Sequence, residues 1–445
     1  MNEDNNQSTA LPISVRYGLV LPPAVQGEQT LQRFDSNNGN SFTMNGASTE
    51  IRINVSGSGF LLGSEAYLSF DIQNTVAAGG ADKNALLCNS AADIIESLRI
   101  ESNGVEIERI DGYNLIDAIK RDYKTFEDTK MVGSFEGAQN TTDAAANTTL
   151  AFIPKNSSKS YVLRLSSGFL SGGKLAKAIP LLNTSGFTLI IRLAKPDDAF
   201  IAVKTDLTAA TSKFSQYLPK INNPRLYAPV FQIQDAGFAA RYSQMMGSMG
   251  IEWTAITSKR YSNTTSTGMG PHALQLNDRS VSLRGFVSVL RSNAMSADAY
   301  KLNTLAGDVT KIDTFRYYIS GVETPLGGIE IKASPTKTET GRAFLETLKL
   351  FSDMTDPKTI VDAAKFRADT TAVTARSKGT MSVDLKRYGD GNLSLTGMPT
   401  AASTTPSVLE FKSNTDQFDA TRVDTFALCD VIYRLDQNGG FSSVY

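Results

Sequence analysis

Histidine, the cysteine thiolate and paired carboxylates carry most reactions near neutral pH, and this sequence holds one histidine and two cysteines. A metal centre built on several histidines is therefore impossible. The single imidazole, His272, follows Gly268-Met269-Gly270-Pro271, and those glycines and that proline predict a loop rather than a strand or helix. A Ser-His-Asp or Cys-His arrangement would need His272 as its base, yet no Gly-x-Ser-x-Gly elbow or catalytic-cysteine signature accompanies it. Gly172-Gly173-Lys174 is followed by Leu175 and lacks the upstream glycine of a phosphate-cradling loop, and no Gly-x-Gly-x-x-Gly occurs. Carboxylates for glycoside hydrolysis need only meet in space, about 5 to 10 Å apart, so closeness in sequence says little. Asp197 with Asp198, and Glu101 with Glu106 and Glu108, are accordingly expected on solvated faces. Asn140-Thr141-Thr142 and Asn263-Thr264-Thr265 read as surface loops. Cys88 and Cys429 are too few for a disulfide framework and read as small buried thiols in a reducing compartment. On these residues no catalytic, cofactor-binding or metal-binding site is assigned, and no cofactor is expected.

The elements that would position such residues are mostly strands. A chain of 445 residues and 48.0 kDa is too long for one small module, and 41% hydrophobic content can fill substantial cores. Lys+Arg 44 against Asp+Glu 45 leaves a net charge of -1, without the cationic excess that non-specific phosphate binding requires, so no specific nucleic-acid binding is expected. The first residues carry neither a basic segment nor an apolar one, so no signal peptide is expected, and no apolar run is long enough to span a membrane.

Period-two alternation recurs between clusters of Gly, Asn, Ser and Asp, which predicts many short antiparallel strands. Glu50 to Val55 is the clearest, with Ile51, Ile53 and Val55 on one face. Further strands are expected at 66–72, 96–101, 105–110, 160–165, 187–193, 225–233, 251–257, 280–290, 313–319, 328–332, 380–385, 407–411 and 423–433. Helical spacing marks Tyr113 to Lys124, with Leu115, Ile116, Ile119 and Tyr123 on one face after Asp111-Gly112. It also marks Thr340 to Phe351, with Phe344, Leu345, Leu348 and Phe351 on one stripe, and more weakly 359–367. Segments 137–149, 261–273 and 399–406 have the composition of exposed loops.

Leu98 to Glu106 aligns without a gap to Phe315 to Glu323, sharing Arg, Gly, Val and Glu at an offset of 217 residues, and each copy leads into an Ile-Glu strand and then a helix. Upstream, 50–55 and 66–72 pair with 251–257 and 280–290; downstream, Phe187 to Leu193 pairs with Phe426 to Leu435. Pro219 to Pro224 reads as a linker. The expected organisation is an extended N-terminal arm over 1–30, a first domain over 31–223 and a second over 224–445. About eight strands per half, with one helical excursion each, make an all-β chain of two tandem jelly-roll β-sandwiches with short helical insertions.

That plan resembles the double jelly-roll major capsid proteins of icosahedral DNA viruses. Ser36 to Phe42, the strand to Val55 and Gly59 to Phe70 look like the opening of the first jelly roll in capsid proteins of polinton-like viruses and virophages. Leu165 to Leu170, Lys177 to Leu182 and Gly186 to Leu189 are similar to its closing strands, and Asp424 to Tyr445 resembles the final strand and tail. The resemblance implies a structural protein rather than an enzyme. Three copies would form a homotrimer of pseudo-hexagonal outline, and trimers would tile an icosahedral shell alongside penton or vertex and minor capsid proteins, in a virion assembled inside the host cell. The arm over 1–30 would lie on the inner side and reach a neighbour. The alternative is a carbohydrate-active or carbohydrate-binding β-sandwich, since fold does not dictate function. The single tryptophan, Trp253, is expected in core or interface packing rather than as a sugar platform.

Overall fold

In Glu50–Val55 the side chains of Ile51, Ile53 and Val55 are at most 1% exposed while Arg52 and Asn54 face solvent. The alternation thus makes a strand buried on one face, and the same rule builds most of the chain. The computed structural model describes residues 27–445 apart from 45–48, 76–83, 88–89, 124–134, 138–151, 172–176, 183, 204–217, 236, 239, 243, 245–249, 293–311, 332–339, 352–360, 362–365, 367–378, 388–394 and 414–420.

The principal strands of the first half are β1 (Gly27–Asp35), β2 (Glu50–Val55), β3 (Tyr67–Gln73), β4 (Ile95–Ser102), β5 (Val105–Asp111), β6 (Ser158–Arg164), β7 (Phe187–Leu193) and β8 (Lys220–Ile233). Helix α1 (Tyr113–Asp122) lies between β5 and β6, and the short helices α2 (Gly168–Ser171) and α3 (Pro196–Ala199) flank β7. The second half repeats the set as β9 (Ile251–Thr264), β10 (His272–Leu276), β11 (Leu283–Ser292), β12 (Ile312–Ile319), β13 (Val322–Glu330), β14 (Met381–Asp384), β15 (Ser407–Ser413) and β16 (Thr421–Leu435), with α4 (Thr340–Phe351) between β13 and β14.

One sheet of the first half runs β1-β8-β3-β6 and the other β2-β7-β4-β5; the second half runs β9-β16-β11-β14 and β10-β15-β12-β13, all antiparallel. Each strand βn of the first half therefore occupies the place of βn+8 in the second. Two facing sheets of four principal strands each, connected in this order, are a jelly roll, and the chain is two of them in tandem.

The 217-residue repeat falls on one structural unit, the hairpin β4–β5 and its counterpart β12–β13. Both turn through two residues of positive φ, Asn103 (52°) and Gly104 (78°) in one, Ser320 (52°) and Gly321 (81°) in the other. That is the geometry whose twist matches flanking strands, and it favours Asn-Gly. Ser320→Asn is accordingly expected to stabilise the chain by about 0.5 kcal/mol, read as a rise in melting temperature.

Other parts of the sequence reading are corrected by pairing. The expected linker at 219–224 opens β8, whose residues pair with β1 and β3, so the division after residue 223 cuts a strand of the first sheet. Of the expected arm, 1–26 lie outside the described residues and 27–30 begin β1. The flanking repeat is shifted by one strand: 251–264 corresponds to β1, not to 50–55, and 187–193 corresponds to β15, not to β16. Local periodicity cannot distinguish two neighbouring strands that alternate alike. Segment 261–273 is not a continuous loop, since β9 runs to Thr264 and β10 starts at His272. On α4, Leu348 is buried but Leu345 is 43% exposed, so the apolar stripe is narrower than its spacing suggested. Segment 138–149 and most of 359–367 lie outside the described residues. Among the described residues no helix is long and apolar enough to cross a membrane.

The two halves share apolar packing. Phe286 and Leu290 of β11 belong to the second jelly roll's own core, whereas Val287 and Val289 of the same strand, with Phe426 and Leu428 of β16, join the apolar mass of the first half. A strand covered on both faces loses polar alternation, which accounts for the nearly continuous run Phe426 to Tyr433.

Candidate functional site at the junction of the jelly rolls

The residues expected to be chemically able are dispersed. His272 is buried at the start of β10, its ring nitrogen 3.0 Å from the Gly268 carbonyl and its ring 5.0 Å from that of Phe411. This is a packed strand position, not the loop expected from the preceding Gly and Pro. Cys429 is buried on β16 with its Sγ 2.9 Å from Ser280 Oγ, and burial together with the nearby Asp278 carboxylate pushes its thiol up to about 12, far from a reactive thiolate. Cys88, Gly172-Gly173-Lys174 and Asn140-Thr141-Thr142 lie outside the described residues, as does the side chain of Asp197. Asp198 stands 4.0 Å from Arg291, Glu101 pairs with Arg99 and Glu106 is exposed.

Glu108 departs from the solvated-face expectation. Its side chain is fully buried between the halves and accepts hydrogen bonds from Ser167 Oγ, the Gly168 amide (2.8 Å), the Phe169 amide (3.2 Å) and Thr257 Oγ1 (2.7 Å). Three donors come from the start of α2 and one from β9, so a single carboxylate ties the first jelly roll to the second. A buried carboxylate is tolerable when donors occupy its lone pairs, as they do here. No sequence signal marks it, because the donors lie 59 to 149 residues away.

Gly168 lets the halves approach. A Cβ there would fall 2.8 Å from the Ile256 carbonyl oxygen and 3.0 Å from both Glu108 Oε1 and Tyr433 Oη. Beside it Phe169 is ringed by Phe187, Trp253, Tyr433 and Phe441, with centroids 5.2 to 5.8 Å away. Trp253 is 6% exposed in this cluster. The segment Phe441–Val444 pairs with the end of β16, and Tyr445 Oη donates to the Ile107 carbonyl (2.8 Å) while Lys259 lies over its ring.

Nearer the other end, Arg260 of β9 packs over Gly112 of the first half and binds Asp424 of β16 at 2.7 Å. Arg291 and Arg422 reach the same carboxylate at 3.4 and 3.2 Å. Burial works to raise the pKa of Asp424, but the three guanidinium charges outweigh it and hold the acid below the usual carboxylate range. A depressed folded-state pKa gives stability that is complete above the unfolded value of about 4 and is lost as pH falls through the folded value. Glu136, held low by Arg121 and Arg164 against its own burial, acts in the same direction. Melting temperature is therefore expected to fall as pH drops below about 4, and Asp424→Asn to flatten part of that fall while lowering stability at neutral pH. Thermal scans across that range on both proteins check it.

These contacts also fix relative orientation. Glu108 lies against Thr257 and Gly112 against Arg260, so β5 and β9 run side by side in the same direction. Strand β9 is parallel to β11, since both pair antiparallel with β16. Hence the β3–β4 and β5–β6 connections of the first half emerge at the same end as the β11–β12 and β13–β14 connections of the second. Tyr123 beyond α1 and Phe351 of α4 stack at 5.4 Å at that end. The short hairpin turns at 103–104 and 320–321 sit at the other.

The junction and the strand order define a double jelly roll whose two sandwiches point the same way. Solved structures share that fold along nearly the whole chain. A chain of the PBCV-1 virus capsid matches with a TM-score of 0.61 at 9% identity, covering 96% of this chain and 99% of that one. The Faustovirus major capsid protein matches at 0.61 and 10%, covering 95% and 92%. The Sputnik virophage structure matches at 0.60 and 13%, covering 100% and 93%. No known family profile and no curated protein sequence matches.

Proposed function

We propose that this chain is a major capsid protein, a structural and non-enzymatic component of a virion, in which three copies form a pseudo-hexagonal capsomer and capsomers tile an icosahedral shell. The observation that carries the reading is the pair of jelly rolls with identical strand order, aligned in one direction by the Glu108 and Arg260 contacts. Two such units in one chain supply two of six wedges, so three chains close a ring. The likeness in fold to viral capsid proteins over more than nine-tenths of both chains supports it.

In this reading the first jelly roll comprises 27–233 and the second 251–445, and the residues before 27 form an arm on the inner side of the shell that orders against a neighbour. The end bearing the long helical excursions faces outward. Penton or vertex and minor capsid proteins are the further partners. The carbohydrate alternative loses its one tryptophan platform, because Trp253 is enclosed by Phe169, Tyr433 and Phe441.

Light scattering after size exclusion, with negative-stain images of the same peak, tests the proposal. The expected species has three times the 48.0 kDa chain mass and a hexagonal outline. A monodisperse 48.0 kDa monomer at all concentrations and salts would overturn it and direct the next screen to glycan binding and hydrolysis.

A further inference from the structure

Strand β16 is a long central strand, and one of its edges is filled from two sources. On one side β9 pairs with it along 422–435, whereas on the other β11 reaches only as far as Cys429. Beyond that point the open edge is taken by Phe441–Val444, which pairs antiparallel with Ile432 to Leu435. The chain reverses after β16 through a turn in which the Asp436 amide donates to the Gly440 carbonyl and the Gly439 amide to the Asp436 carbonyl, both at 2.9 Å, with Gly439 at a φ of 76°. In the first half the same place beside β8 is taken by Phe60–Leu61, which precedes β3 in the chain. The second jelly roll fills it instead with residues that follow β16.

This segment crosses the junction. Phe441 is 3% exposed, its ring 5.5 Å from that of Phe169 in the first half and 6.3 Å from that of Trp253 in the second. Tyr445 Oη donates to the carbonyl of Ile107, which stands outside the ladder of its hairpin because Ile100 pairs with Glu108 and Glu101 with Glu106. A bulged residue gives up its ladder bonds, and the phenol supplies a donor there. Between these two anchors Ser442 and Ser443 are half-buried and Val444 is exposed. Every principal strand of the second jelly roll keeps its neighbours without the segment. A short edge strand with two anchoring side chains belongs to the least stable units of a fold.

We infer that Phe441–Tyr445 is a strap that seals the junction and leaves it while both jelly rolls stay folded, opening a slot for an extended segment with an aromatic side chain first and a tyrosine fifth. A strand added to a sheet edge takes its affinity from main-chain bonds and its selectivity from side-chain pockets. Here the ladder is offered by Ile432 to Leu435, and the aromatic pocket by Phe169 and Trp253. The tyrosine site is the Ile107 carbonyl together with Lys259, whose ammonium lies 4.4 Å from the ring centroid. With the strap away, water reaches Phe169 and Trp253 on the side that Phe441 covers.

Hydrogen exchange on the intact chain tests the opening. The amides of 441–444 are expected to exchange at least about tenfold faster than those of 423–431 in β16. Tyr445→Phe removes only the hydroxyl and is expected to speed 441–444 about fivefold while leaving β16 unchanged. Strap amides that exchange at the β16 rate in both proteins overturn the inference. A chain shortened to residue 440 tests the slot. It is expected to keep its circular dichroism spectrum and to show a red-shifted emission from Trp253, the one tryptophan. A peptide of residues 439–445 is expected to reverse that shift saturably, and the same peptide with Phe441→Ser to leave it in place. Loss of fold in the shortened chain would make the segment part of the second jelly roll rather than a strap. An emission that stays unshifted, or that the peptide does not restore, would remove the slot.

Discussion

Glu108→Ala is expected to lower the unfolding free energy by about 3 to 5 kcal/mol. The substitution removes the group that accepts from Ser167 Oγ, the amides of Gly168 and Phe169, and Thr257 Oγ1 at one buried point. Each donor left buried without a partner costs about 1 to 3 kcal/mol, and water entering the vacated space recovers part of that sum. Glu108→Gln should lose less, because one acceptor oxygen survives while the new amide N–H group faces donors. Thr257→Val removes only the bond that crosses between the halves and should cost about 1 kcal/mol. Because the carboxylate joins two jelly rolls, the alanine variant is also expected to unfold in two separated transitions where the wild type shows closer coupling. Denaturant titration followed by circular dichroism checks both. A loss below about 1 kcal/mol in Glu108→Ala would mean that the carboxylate does not hold the junction.

Phe169→Ala is expected to cost about 3 to 5 kcal/mol, the range for deleting a large buried ring whose surroundings relax only in part. Phe169 is 1% exposed and meets Phe187, Tyr433 and Phe441 edge to face, with interplanar angles of 80° to 88°. The vacated space borders Trp253, the one tryptophan, so its emission is a local reporter. A red shift in the native state, with the stability loss, is expected where water reaches the indole. Phe169→Leu should keep most of the packing and cost about 1 kcal/mol. An unshifted emission with unchanged stability would show that the ring cluster does not seal the junction.

Much of the architecture was legible because one-face burial leaves a local trace. Glu50–Val55, Tyr67–Gln73, Ile95–Ser102 and Val105–Asp111 each form within a residue or two of the segment their alternation marked, and Tyr113–Asp122 follows its 3.6-residue spacing. The β4–β5 and β12–β13 hairpins announced themselves at the 217-residue offset because a tight turn constrains consecutive residues, whatever surrounds it. Strand β1 was missed because its residues are exposed or half-exposed along its length, leaving no apolar periodicity to read. The linker reading failed at Pro219 to Pro224 because proline and asparagine punctuate local backbone, while here Ser41–Thr43 on one side and β3 on the other hold Lys220 to Asn222 in a sheet.

By itself, then, the sequence determined the all-β class, most of the strands, the two longer helices, the repeated hairpin, and that no metal centre could be built on several histidines. Those follow from composition and from periods of two and 3.6 residues, which need no knowledge of distant partners. The tertiary structure alone decided which sheet face lies against the other jelly roll, that both point the same way, and that Glu108 and Asp424 are buried charges rather than solvated ones. Alternation reports that one face of a strand is covered but not by what. A carboxylate can be buried only where donors converge, and here they arrive from segments up to 164 residues away, which no local pattern encodes.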